Sequence, residues 1–188
     1  MKPALLCLTG FLLAAGSTQA AAPSTTIDLF KAYCAGLKGD PNAIISTAHA
    51  DGFSDMKTGA PAIPTTPDAK VLVHDLPGGS RQGLIVGLSD VDASHGLPAS
   101  KARSCAVSGP TGGDNSLQSL RDWVGVPPAG QDQGLTIYVY RKGPGGTRSM
   151  ASATDAEYQD AFKSGELQTL LAQQRDGLES FTVLFFAP

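Results

Sequence analysis

Cys34 and Cys105, about 70 residues apart, constrain this chain more than any other feature. The third cysteine, Cys7, lies in the opening stretch MKPALLCLTGFLLAAGSTQA. There a single Lys2 precedes an apolar run from Ala4 to Ala15, and small residues end at Ala20. That pattern reads as a secretory signal peptide over residues 1–20, too short in its apolar core to span a bilayer. Leu6 stands where lipidation of Cys7 would require a small residue. Removing the leader leaves residues 21–188, enough for one domain with its own core. The remaining two thiols meet in an oxidising compartment, periplasmic or secreted, and are predicted to form one disulfide. Closing that loop stabilises the fold by roughly 4 kcal/mol through chain entropy.

Composition narrows the function classes. Without Lys2, one is lost from 14 Lys and Arg against 17 Asp and Glu, a net of about −4 with no long run of either sign. A nucleic-acid surface needs clustered cations, so no nucleic-acid partner is expected. No later stretch is long and apolar enough for a membrane span. With 22 Gly and 13 Pro and only 16% charged residues, the chain suits a loop-rich exported domain.

The periodicities predict an α+β domain. Ile27, Phe30, Cys34 and Leu37 recur at helical spacing behind Ser24, Thr25 and Thr26, so Cys34 belongs on the buried face of a first helix. Asp40-Pro41 opens a second helix, which Gly52 ends, with Ile44, Ile45 and Ala48 as its stripe. Residues 54–68 read as an extended loop. Strands are predicted at 70–76 and 81–88 around the turn Pro77-Gly78-Gly79-Ser80, and a third at 102–108 carries Cys105. A helix over 114–125 uses Asp114 as N-cap and Gly125 as stop. A strand at 134–142 turns back through Gly143–Gly146 towards the segment 147–152. Residues 154–175 read as helical, with Gly165 as the weak point, and 180–187 as a last strand. The sum is a mostly antiparallel sheet of about five to six strands with helices packed on it and one disulfide.

Several motifs suggest chemistry. Ser54-Asp-Met-Lys57 and Lys57-Thr58-Gly59 resemble the Ser-x-x-Lys and Lys-Thr-Gly signatures of penicillin-binding proteins and serine β-lactamases. In that family the first opens a helix and the second lies far downstream on a strand. Here they share Lys57, so one residue would have to occupy both places, and no acyl-enzyme is expected at Ser54. Gly78–Gly83 misses the Gly-x-Ser-x-Gly elbow by one residue and falls in a hairpin. Asp90, Asp92 and Ser94 copy the start of a calcium loop, but His95 and Lys101 replace its Gly and closing Glu. His49, His74 and His95 have no ligand spacing, and the metal reading left is His74 and His95 converging with Asp90 or Asp92 on zinc. Gly112-Gly113-Asp114 resembles an anion nest, yet Asp114 repels phosphate. Trp123 reads as a core anchor rather than a ligand platform. No catalytic, metal or cofactor residue is assigned, and no cofactor is expected.

The chain is therefore expected to be an exported bacterial envelope protein that acts as a non-enzymatic binding module for a protein or small ligand. The alternative is a small periplasmic hydrolase with His74 or His95 as base, assembled only in three dimensions. In Leu135–Tyr140 the aliphatic Leu135, Ile137 and Val139 alternate with Thr136, Tyr138 and Tyr140. Turning the aliphatics towards the helices leaves the tyrosines outside. If the last strand is a neighbour, Tyr138, Tyr140, Leu184 and Phe186 form the candidate binding face, unless the helix over 154–175 covers it.

Overall fold

The computed structural model describes residues 25–56 and 66–186. The expected leader (residues 1–20), Lys57-Thr58-Gly59 and Pro61 and Pro64 lie outside them. Helix α1 (Thr26–Leu29) starts at Thr25, whose hydroxyl oxygen accepts the Asp28 N–H at 3.2 Å, and runs straight into a π-helical segment (Phe30–Ala35). That segment buries Phe30, Tyr33 and Cys34. Helix α2 (Pro41–Ala50) is capped by the Asp40 carboxylate, which accepts the N–H groups of Asn42 and Ala43 at 3.0 Å each.

Nine antiparallel strands among the described residues form one sheet. They are β1 (Ser54–Asp55), β2 (Lys70–Asp75), β3 (Arg81–Val91), β4 (Ser100–Pro110), β5 (Gly130–Asp132), β6 (Leu135–Gly143), β7 (Gly146–Ser149), β8 (Leu167–Arg175) and β9 (Leu178–Phe186). The order is β1-β2-β3-β4-β9-β8-β6-β5, with β7 paired to β6. Helix α3 (Asp114–Val124) follows β4 and helix α4 (Asp155–Lys163) follows β7. The class is α+β with one disulfide, as expected, but the sheet is larger than five to six strands. The returning segment after Gly143–Gly146 is β7, as expected, while the unforeseen β1 and β5 have two and three residues, too few to show an alternation.

The more instructive correction is β8. Leu167, Leu170 and Leu171 have helical spacing, yet the helix ends at Lys163 and residues 167–175 are extended. Both faces of β8 carry apolar groups: Leu170 and Ala172 enter one core cluster and Leu167 the other. A strand covered on both sides loses its period of two and imitates a helical stripe. Asp176 and Gly177 both have positive φ (53° and 78°), the two-residue type I′ geometry that turns β8 directly into β9.

Two helical layers cover the sheet unequally. On one face α1, the π-helical segment, α2 and α3 pack over Leu72, Leu84, Val107, Phe181 and Val183. On the other, Tyr158 and Ala161 of α4 pack with Ala102, Met150, Leu167 and Phe186. The cap position of helix α3 falls on Gly113, one residue before the expected Asp114. Glu179 of β9, fully buried, accepts the Gly112 N–H at 3.2 Å and the Ser116 hydroxyl at 2.8 Å. Gln174 donates to the same carboxylate at 3.1 Å. A carboxylate from the sheet thus satisfies donors before and within the first turn of α3. No helix among the described residues is long and apolar enough to cross a membrane.

Cys34 of the π-helical segment is bonded to Cys105 of β4, joining the first helical layer to the middle of the sheet. Titration of unfolded, unreduced protein comprising residues 21–188 should find no free thiol, and reduction should lower its stability by about 4 kcal/mol in urea unfolding. Two titratable thiols would exclude the bond.

Two buried tyrosines make stability sensitive to alkali. Burial raises the Tyr33 hydroxyl well above its usual range, reinforced by its hydrogen bond to Asp51 and that carboxylate's charge. Burial alone does the same to Tyr140. The unfolded tyrosines ionise near pH 10 while the folded ones keep their protons, so this stabilisation is whole below about pH 10 and lost as pH rises above it. The urea midpoint should hold steady to about pH 9 and fall beyond about pH 10. The Tyr140 hydroxyl has no hydrogen-bond partner among the described residues. Tyr140→Phe should therefore raise stability at neutral pH by about 1 kcal/mol and soften the alkaline fall. A midpoint independent of alkali would refute the assignment.

Candidate functional site

The structure separates the four residues expected to form one binding face. Tyr138 and Tyr140 are 1% exposed and belong to the cluster beneath the first helical layer. Leu184 and Phe186 belong to the opposite cluster, and β8 lies between β6 and β9. The assumption that a hydroxyl turns tyrosine outward fails here: both rings are buried in full among the apolar groups beneath that layer. The helix expected to cover the tyrosines is shorter and lies on the other face.

Leu184 and Phe186 instead line a pocket of about 270 Å³ at the border of the area that α4 covers. Its floor is Val139, Leu167, Thr169, Leu184 and Phe186, from three adjacent strands of the second face. The walls are Tyr158 of α4 and the connection from β3 to β4, which contributes Asp92, Ser94, His95 and Leu97. A largely apolar concavity with a few polar groups at its mouth is the usual form of a small-molecule site, here just below the ~300–1,000 Å³ range.

The walls are held by specific contacts. His95 and Gly96 both have positive φ (49° and 72°) and form a tight turn closed by hydrogen bonds between Ser94 and Leu97 at 2.8 and 3.2 Å. This turn lays the His95 ring on Tyr158, with centroids 4.4 Å apart and planes within 8°. Gln159 Nε2 donates to the Gly96 carbonyl at 3.2 Å. Helix α4 starts with a capping box in which Thr154 N–H donates to Glu157 at 2.9 Å and Glu157 N–H to Thr154 at 3.3 Å. The Thr154 N–H and Arg148 hold the Glu157 carboxyl below its usual range. Arg148 reaches Glu157 at 2.7 Å, and Arg141 bridges Asp160 at 2.5 Å and Glu166 at 2.6 Å.

The other candidates are dispersed. His74 packs its ring on Phe53, 5.1 Å between centroids, on the helix-covered face, so it does not converge with His95. His49 Nε2 lies 3.3 Å from Asp55, an exposed pair with no nucleophile bonded to it among the described residues. Asp90 is paired with Lys101 at 2.6 Å. No group of three or more His, Cys, Asp or Glu suited to a metal ion occurs among the described residues. Trp123 anchors edge-on to Phe30 at 5.4 Å and also carries Lys142 Nζ 4.5 Å from its ring centroid. Sequence reasoning missed Tyr158 and the stacking role of His95. The visible signal was His95-Gly96, a dipeptide suited to two consecutive positive φ values.

No family model matches this chain, and neither a curated protein nor a solved structure matches it.

A Cβ at Gly96 would sit 2.9 Å from Gln159 Nε2 and 3.3 Å from Asp155 Cβ, on a backbone with positive φ. Gly96→Ala should therefore cost about 1–2 kcal/mol in thermal unfolding and loosen the pocket wall. An unchanged melting temperature would show that the turn is not docked on α4.

Proposed function

We propose that this chain is an exported bacterial envelope protein whose leader, residues 1–20, is removed and whose residues 21–188 form one binding domain. Its task is to hold a small, largely apolar ligand in the pocket under the His95–Tyr158 stack, without turning it over. The observation that carries this reading is the pocket itself: apolar side chains of β6, β8 and β9 form its floor beside α4, and an imidazole, hydroxyls and a carboxylate sit at its mouth. Such an arrangement buries a ligand's apolar body and leaves a polar end to be oriented by Asp92, Ser94 or His95. Both sulfurs of the described cysteines are committed to the disulfide, and the His95 ring lies flat on Tyr158. These features favour holding over hydrolysis.

The neutral fluorophore N-phenyl-1-naphthylamine provides the test. It should bind the mature protein saturably, with Kd on the order of 10 µM for a ligand of its size. Thr169→Trp, which fills the floor from β8, should weaken binding by about tenfold or more while the protein stays folded by circular dichroism. Absence of saturable binding, or binding indifferent to Thr169→Trp, would reject the site.

A further inference from the structure

At one end of the helix-covered face lies a second groove of about 440 Å³ with a different character. Arg103, Phe185 and Gln168 form one row across β4, β9 and β8, because Arg103 and Gln168 each pair with Phe185 in register. Tyr140 of β6 pairs with Gln168, and Lys142 follows two residues on, on the same face. Trp123 from the last turn of α3 and Lys38 from the turn after the π-helical segment complete the walls.

We propose that this groove, where Lys38, Arg103 and Lys142 converge on the rings of Trp123 and Phe185, binds a small multivalent oxyanion: a di- or tricarboxylate or a phosphate ester. The chain as a whole is acidic, yet three cations meet here. Elsewhere Arg81, Lys101, Arg141, Arg148 and Arg175 each hold a carboxylate within 3.1 Å. Lys38, Arg103 and Lys142 hold none among the described residues; neither do Lys31, Lys70, Arg121 and Lys163, but only the first three line one groove together. Lys142 lies 4.5 Å from the centroid of Trp123 and Arg103 6.0 Å from that of Phe185. Rings hold a cation in place without neutralising it, so the positive potential stays in the groove. The carboxylate in the wall, Glu166, is already bonded to Arg141 at 2.6 Å.

The backbone adds an independent observation. Lys38 has φ +51°, a region where lysine is strained and glycine is not. Gly39 follows at φ +66° and fits so closely that a Cβ there would lie 2.5 Å from the Phe185 ring. The turn is thus pressed onto the floor of the groove and carries a charged side chain at its most strained position. Strain of this kind at a concave site is a mark of function.

Trp123 is the only tryptophan in the chain, so its fluorescence reports on the groove. The mature protein is titrated at low ionic strength with citrate and, separately, with inorganic pyrophosphate, each by fluorescence and by calorimetry. At least one anion should bind saturably and more weakly as salt is added, and the preferred one tells carboxylate from phosphate ligands. Lys38→Gly should weaken it about fivefold or more while leaving the melting temperature equal or higher, because the strain goes with the charge. Arg103→Gln should weaken it similarly; should that variant not fold, Lys38→Gly decides. Lys101→Gln, at an exposed cation outside the groove, should leave affinity unchanged. The proposal is overturned if both methods find no saturable binding of either anion, or if binding ignores Lys38→Gly. Neutral naphthylamine binding on the opposite face is unaffected by these variants, so this outcome is separate from that of the apolar pocket.

Discussion

The bond between Cys34 and Cys105 closes a loop of 71 residues and decides where the first helical layer rests. That layer is made of pieces that are not stable alone: four residues of α1, six of the π-helical segment and ten of α2. Isolated helices of this length are marginal in water, so packing must hold them. Cys105 lies opposite Val86 on β3 and Val183 on β9, in the middle of the sheet order. The covalent link therefore ends where the layer has most apolar surface to bury. Phe30 follows from it, edge-on to both Phe181 of the sheet and Trp123 of α3. Glu179 then fixes the near end of α3 from the same face of β9. One bond and one buried carboxylate thus tie the π-helical segment and α3 to the sheet on that face.

The parts legible in the sequence are those whose local chemistry has one structural solution. Asp40-Pro41 caps α2 as read, Gly125 ends α3 with φ 72°, and Pro77–Ser80 turns β2 into β3. What the sequence concealed depends on partners far along the chain. Leu167, Leu170 and Leu171 carry a helical spacing because two cores share β8, and neither core is visible from nine residues. Asp176-Gly177 was a local signal for the hairpin, overridden by that spacing. Gly113 needs no side-chain cap because Glu179, more than 60 positions away, supplies the acceptor. The tyrosine face was inverted for a similar reason: which side of β6 is deeper depends on how much helix lies over it, and alternation alone is symmetric between the two sides.

The candidate sites were illegible for a related reason. Each draws its residues from four or more elements, and none of the short motifs takes part as a motif. His95 matters through its turn and its stack on Tyr158, not as a base or ligand. Leu184 and Phe186 were singled out for their apolar character and do line a cavity, but with Val139 and Tyr158 rather than with tyrosines of β6. Trp123 is both anchor and wall, because one edge of the indole meets Phe30 while Lys142 lies over the ring.

The two concavities arise where helices stop. Helix α4 covers only part of the second face, so the apolar floor of β6, β8 and β9 emerges at its border. The first layer runs out near Lys38 and Trp123, and the row from Arg103 to Lys142 emerges there. Neighbouring residues of the same strands serve opposite sides: Gln168 and Phe185 line the cationic groove, while Thr169 and Leu184 line the apolar pocket. A slip of one residue in β8 or β9 would exchange Gln168 with Thr169 or Phe185 with Leu184, turning an amide towards the apolar pocket or leucine towards the cationic groove. Register is therefore the property the two sites share. The tight Asp176-Gly177 turn sets it between β8 and β9, and β4, pinned through Cys105 and paired with β9 over nine residues, sets it against the rest of the sheet.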